Sequence, residues 1–146
     1  MPFVLDNSVS VGWLIESQQT DYSEAVAIAL ESDYAHVPSL WVLEITNVLR
    51  TACRRERLTA AVAQSMLREL GALPITVAPS VPIGSEVLAL ALRHDLSSYD
   101  AAYLDLALKL QLPIATSDAA LQSAAIASGV GVWRAPDNGM SPHATT

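Results

Sequence analysis

Only one cysteine, Cys53, occurs in the 146 residues. No intrachain disulfide can therefore form, and the chain fits a reducing compartment. Cys53 itself reads as a small buried residue on a helix. Long apolar runs are also missing: none approaches the roughly 20 residues that a membrane helix needs. The start, Met1-Pro2-Phe3-Val4, has no basic segment of the kind that opens a signal peptide, and its short apolar run stops at Asp6. The expectation is a cytoplasmic protein with no membrane partner. Basic residues are scarce, 8 against 15 acidic, for a net charge of −7. That balance argues against a protein that coats nucleic acid nonspecifically. Half of the basic residues, Arg50, Arg54, Arg55 and Arg57, lie in one short stretch.

What is present is a globular composition, 51% hydrophobic, with a mean hydropathy of +0.33. A chain of this length makes one domain and buries about two thirds of its unfolded surface. Five short apolar runs read as strands: Phe3–Leu5, Ala35–Pro38, Ile75–Ala78, Pro113–Thr116 and Gly131–Trp133. The segments between them read as helices. These cover Ser23–Ser32, Ser39–Arg57 with a serine cap, Thr59–Leu70 with a threonine cap, Val81–His94, Ser98–Leu110 with a serine cap, and Asp118–Ser128. Alternating strands and helices predict an α/β fold, with a central parallel sheet of about five strands and helices on both faces. The domain is expected over residues 1–134. The polar, Pro- and Gly-containing stretch 135–146 is expected to be a flexible tail.

In such a sheet, ligands bind beyond the carboxyl ends of the strands. Asp6 directly follows the first strand, and Asp118 follows the fourth in IATSD, so both fall on one rim. Asp100 lies in the first turn of the helix that leads into the fourth strand. Taken singly, Asp6 and Asp118 also read as helix caps, and Asp100 as a complement to a helix dipole. Glu44 is different, because it sits in SLWVLEITNVL among Leu40, Trp41, Val42, Leu43 and Ile45. Helical spacing puts it on a narrow polar seam with Asn47, Thr51 and Arg54, opposite an apolar face of Trp41, Ile45, Val48, Leu49 and Ala52. A solvated stripe on a surface helix would look the same.

Taken in order, LDNSV, PSLWVLEITNVLR, LSSYDAAYLDLAL and LPIATSDAAL resemble the successive motifs of a PIN domain. More narrowly, the chain resembles the VapC toxins of bacterial type II toxin–antitoxin pairs. The resemblance spans roughly residues 3 to 134. It implies that Asp6, Glu44, Asp100 and Asp118 form an acidic cluster holding Mg²⁺ or Mn²⁺ at an endoribonuclease site. It also implies supporting roles for Ser8 beside the first aspartate, Asn47 beside the glutamate, and Thr116 two residues before the last aspartate. Some relatives carry a further acid after the last aspartate. Here Ala119 and Ala120 follow Asp118, a departure that bears on a second metal position. Asp105, well around the helix from Asp100, reads as a surface or supporting residue.

An oxygen-only donor set suits Mg²⁺ or Mn²⁺ and disfavours zinc, and none of His36, His94 and His143 stands beside a predicted acidic corner. The implied assignment makes Asp6 and Asp118 direct metal ligands. Asp100 belongs to the same metal site and acts with Glu44 through water. Arg54, and Arg50 beside it, are candidate RNA phosphate contacts, although a basic helix end also complements the helix dipole. The resemblance further implies a homodimer, silenced by a cognate antitoxin protein. Other classes fit poorly. LDNSVSVG has no glycine-rich turn for a dinucleotide. The only lysine, Lys109, is not placed for a receiver domain, and Ser8 stands where a haloacid-dehalogenase-type phosphatase has a second aspartate. The alternative from another class is a catalytically inactive PIN-like module that binds metal or a partner.

Overall fold

Three residues, Phe3–Leu5, form the first strand, β1, and all three side chains are fully buried. Successive strand side chains point to opposite faces, so both faces of β1 are covered. In the computed structural model, which describes residues 1–137, β1 is followed by helix α1 (Asn7–Leu14), a short 3₁₀ turn (Glu16–Gln18) and α2 (Asp21–Ala29). Next come β2 (Ala35–Val37), α3 (Leu40–Arg54), α4 (Ala60–Gly71), β3 (Ile75–Val77), α5 (Gly84–His94), α6 (Ser98–Leu110), β4 (Ile114–Ala115) and α7 (Ala119–Ala127). The strands form one parallel sheet in the order β3-β2-β1-β4. The α/β fold expected from the alternation of strands and helices is therefore the observed one, with β1 and β2 central.

Among the described residues the sheet has four strands, where five were expected. The last run, Gly131–Trp133, adds only a single parallel bridge, Ile114 to Val132. It still exchanges two backbone hydrogen bonds with β4, Ile114 N–H to Gly131 O and Trp133 N–H to Ile114 O. The glycines explain the shortening. Gly129 and Gly131 take φ of +86° and +80°, a left-handed backbone that a strand cannot contain. Trp133 nevertheless anchors the segment. Its ring packs against Phe3 at 5.4 Å, and its carbonyl accepts a 2.7 Å hydrogen bond from the Tyr22 hydroxyl. Of the expected tail, residues 138–146 lie outside the described residues.

The helix starts divide by chemistry. Thr59 caps α4 through Val62 N–H, as expected. Ser39 has helical backbone angles and makes no side-chain cap bond, and the cap of α6 is Ser97, not Ser98, accepting from Asp100 N–H at 3.1 Å. Thr20 and Ser23 form a reciprocal capping box on α2.

The helix α1, marked in the sequence only by Asp6 as a candidate cap, packs closely on α2 at Gly12. A Cβ there would meet Ser23 Oγ at 2.7 Å, Ser23 Cβ at 2.8 Å and the Gln18 carbonyl at 3.0 Å. Ser23 is buried and committed to the capping box, so it cannot swing away. Gly12→Ala is therefore expected to destabilise the fold. Overpacking costs about 1–3 kcal/mol, more than the roughly 1 kcal/mol that alanine regains in helix propensity. A thermal melt should show a lower Tm. An unchanged or raised Tm would mean that the helices are not in close contact here.

Candidate active site

The rim at the carboxyl end of β1 and β4 is built by register. Leu5 pairs with Ala115, so the next residues, Asp6 and Thr116, emerge side by side. Asp6 N–H donates to the Ala115 carbonyl at 3.0 Å, which locks this corner. Asp6 is buried, only 4% exposed, and Thr116 is fully buried.

Asp6 is not a helix cap by hydrogen bonding, since its side chain makes no cap bond to α1. Instead its Oδ2 accepts two hydroxyls, from Ser8 at 2.6 Å and Thr116 at 2.8 Å. The hydroxyls are fixed in turn: Ser8 Oγ accepts from Ser117 N–H, and Thr116 Oγ1 from Asp118 N–H. Burial raises the Asp6 pKa, and the two hydroxyls, with the nearby amides of Asn7 and Ser8, oppose that rise. Asp118 does cap a helix, accepting Leu121 N–H on Oδ2 at 2.8 Å. Both aspartates thus have Oδ2 engaged, which leaves Oδ1 for a ligand. A cap and a site corner are compatible roles for one carboxylate.

Glu44, on α3, is half-buried, and the hydroxyl that reaches it belongs to Tyr103. Tyr103 Oη donates to Glu44 Oε1 at 2.5 Å. Asn47, expected to support Glu44, is exposed, and no hydrogen bond joins the two among the described residues. Burial chiefly raises the Glu44 pKa, the Tyr103 hydrogen bond opposes this, and the charges of Asp6 and Asp100 add to it. Asp100, in the first turn of α6, is pushed up to about 6, first by burial and then by Asp6 and Asp118. The charge of Asp6 thus reaches both Glu44 and Asp100, and that of Asp118 reaches Asp100, although the four acids come from four separate places in the chain. None of them is ion-paired among the described residues. The one lysine, Lys109, bonds Asp105 at 3.0 Å and reaches Glu86 at 3.4 Å. Asp105, read as a surface or supporting residue, is in fact buried in that pair.

The histidines stand apart from the acids: His36 lies against the Tyr34 ring, and His94 Nε2 is 3.3 Å from Ser128 Oγ. His143 lies outside the described residues. Arg50 and Arg54 are exposed on α3. Among the described residues, no group of three or more acidic, histidine or cysteine side chains is gathered closely enough to form a ready metal cage. The donor chemistry is that of unpaired carboxylate oxygens. It fits a hard divalent ion such as Mg²⁺, which needs only one or two direct carboxylates and keeps several waters.

The raised Asp100 pKa makes a stability prediction. Between the ordinary value of 3.8 and about 6, the folded protein binds more protons than the unfolded chain. The Asp100 contribution to stability therefore falls as pH rises through that window and stays low above it. Without metal, Asp100→Asn should melt higher than the unsubstituted chain at pH 7, and its advantage should shrink towards pH 4. Melting curves in EDTA across pH 4–8 measure this. A pH-independent difference would remove the like-charge cluster.

Residues 3–127 match the family model of the PIN domain, and the chain belongs to that family. Within it, the chain resembles proteins carrying the VapC name. It is 32% identical over 121 residues to Ribonuclease VapC3 of Pyrobaculum aerophilum, covering 81% of this chain and 90% of that protein. It is 34% identical over 89 residues to Ribonuclease VapC9 of Mycobacterium tuberculosis, covering 61% of this chain and 68% of that protein. The fold is shared with the crystal structure of PAE2754 from Pyrobaculum aerophilum, at a TM-score of 0.65 and 22% identity, over 85% of this chain and 84% of that one.

Proposed function

We propose that the chain is a divalent-metal-dependent endoribonuclease and the toxin of a toxin–antitoxin pair. The observation that carries the reading is that Asp6 and Asp118 follow neighbouring strand ends at one sheet rim, with Glu44 and Asp100 close enough for the charge of Asp6 to raise the pKa of both, and that none of the four is ion-paired among the described residues. A cation is the natural occupant of such a place. The VapC ribonuclease names of the relatives supply the class of substrate.

In this reading Asp6 and Asp118 would hold Mg²⁺ or Mn²⁺ through Oδ1. When bound, such an ion supplies Lewis acidity at a phosphate oxygen and makes a nearby water easier to deprotonate. Ser8 and Thr116 keep the Asp6 carboxylate turned, so its ligand oxygen is set before RNA arrives. Asp100 would complete the metal site, acting through water beside Asp6 and Asp118. Glu44, held on one oxygen, orients the attacking water with the other. Arg50 and Arg54 contact the RNA backbone further along α3. The partners are RNA, a cognate antitoxin and a second copy of the chain, and the setting is the cytoplasm.

The absence of a ready three-ligand group among the described residues favours one other reading, an inactive PIN-like module that binds a partner. A labelled RNA separates the two. We expect internal cuts in millimolar Mg²⁺ or Mn²⁺ and none in EDTA. Undiminished cutting in EDTA would refute the metal requirement, and no cutting under any condition would favour the inactive module.

A further inference from the structure

Tyr103 is the largest of the fully buried side chains. It lies one helical turn after Asp100 on α6, in YDAAY, and three-residue spacing places the two on neighbouring parts of one helix face. Its neighbours Ala101, Ala102, Leu104 and Ala107 are also buried. A phenylalanine would fill such a place at no polar cost, whereas a buried hydroxyl must find a partner. The partner is Glu44, 59 residues away on α3. Burial and the adjacent Glu44 hold the Tyr103 phenol far above its ordinary pKa of 10.0, so it stays a hydrogen-bond donor throughout the working range. With Oε1 taken, Oε2 is the Glu44 oxygen left for water or metal.

We propose that Tyr103 is a positioning residue that fixes the Glu44 carboxylate, so that α6 contributes one acid of the site directly and sets the orientation of a second. The inference rests on the endoribonuclease reading above. Two features of the site make the clamp necessary. Glu44 sits on a helix, where its side chain has three rotatable bonds, unlike Asp6, which two hydroxyls already fix. It also faces the charges of Asp6 and Asp100, which would turn an unheld carboxylate outward to solvent.

The test is a double-mutant cycle of Tyr103→Phe and Glu44→Gln, read by RNA cleavage kinetics and by metal-dependent melting. Tyr103→Phe keeps the ring, and we expect a folded protein whose kcat falls by roughly 10–100-fold, the usual effect of losing an orienting partner of a metal-site ligand, while KM for RNA changes little. The Mg²⁺ concentration that gives half of the melting shift should rise. In the Glu44→Gln background, Tyr103→Phe should cost little more, because the group it positions is already gone. Wild-type kcat in Tyr103→Phe, or losses that simply multiply, would overturn the inference. If the phenylalanine variant folds poorly, Glu44→Gln alone still decides, since the ultraviolet resonance Raman bands of one tyrosine should report a weaker acceptor. Unchanged tyrosine bands would overturn the clamp. Absence of metal-dependent cleavage in the unsubstituted chain would instead refute the endoribonuclease reading itself.

Discussion

Glu44→Gln is expected to keep the fold and lose RNA cleavage by on the order of 10² or more, the usual effect of removing one positioned group at a reacting centre. The side chain is half-buried and its shape is retained, and the buried Trp41, Ile45 and Leu49 belong to the other face of α3, so the packing of the helix is undisturbed. Gln Oε1 can still accept from the Tyr103 hydroxyl, which now loses only the charge of its partner. Two like charges, Asp6 and Asp100, also lose a repulsive neighbour. The Tm without metal should therefore hold or rise while activity collapses, a combination that a merely structural glutamate would not give. Cleavage rates and melting curves of the same preparation check it. Near-normal cleavage would reduce Glu44 to a residue of the helix surface.

Much of this was legible before any coordinates, and the reason differs from residue to residue. Asp6 and Asp118 could be placed because one directly follows the first apolar run and the other closely follows the fourth, in IATSD, and a parallel sheet sends all such ends to one rim. Glu44 stood out because carboxylates are rare in apolar surroundings. The extent of helix α1 was not legible beyond Asp6 as a candidate cap. NSVSVGWL is apolar on most sides, with Val9, Ser10, Gly12 and Leu14 all buried, so it shows no helical stripe. The fifth strand failed for backbone reasons, at Gly129 and Gly131. Tyr103 was missed because its partner lies on another helix, and sequence spacing reports only neighbours along the chain. A signal did exist: a tyrosine one turn from Asp100, set among alanines and leucines, implies a buried hydroxyl that must be satisfied. The supporting role that the resemblance implies for Asn47 has no hydrogen bond to Glu44 behind it among the described residues, and Asn47 is exposed.

Asp6→Asn carries the other large expected effect. Both hydroxyls that bind Asp6 converge on one oxygen, Oδ2, so the single carbonyl oxygen of asparagine can replace it. The amide nitrogen then occupies the place of Oδ1, the proposed ligand oxygen, and an amide nitrogen does not bind Mg²⁺. Burial is the main cause of the raised Asp6 pKa, which means that the folded state bears a cost for keeping this group charged. Removing the charge should stabilise the metal-free protein and abolish the gain from metal, because only a ligand that binds the folded state raises its stability. Cleavage of RNA should be lost with it.

Melting curves of the unsubstituted chain and of Asp6→Asn, each in EDTA and in millimolar Mg²⁺, therefore test most directly whether these acids form one metal-binding cluster. The expected pattern is a clear Mg²⁺-dependent rise in Tm for the unsubstituted chain, a higher Tm for Asp6→Asn in EDTA, and no further rise for the variant in Mg²⁺. A variant that gains as much from Mg²⁺ as the unsubstituted chain would contradict the cluster and leave Asp6 as a structural anchor of the β1–β4 corner.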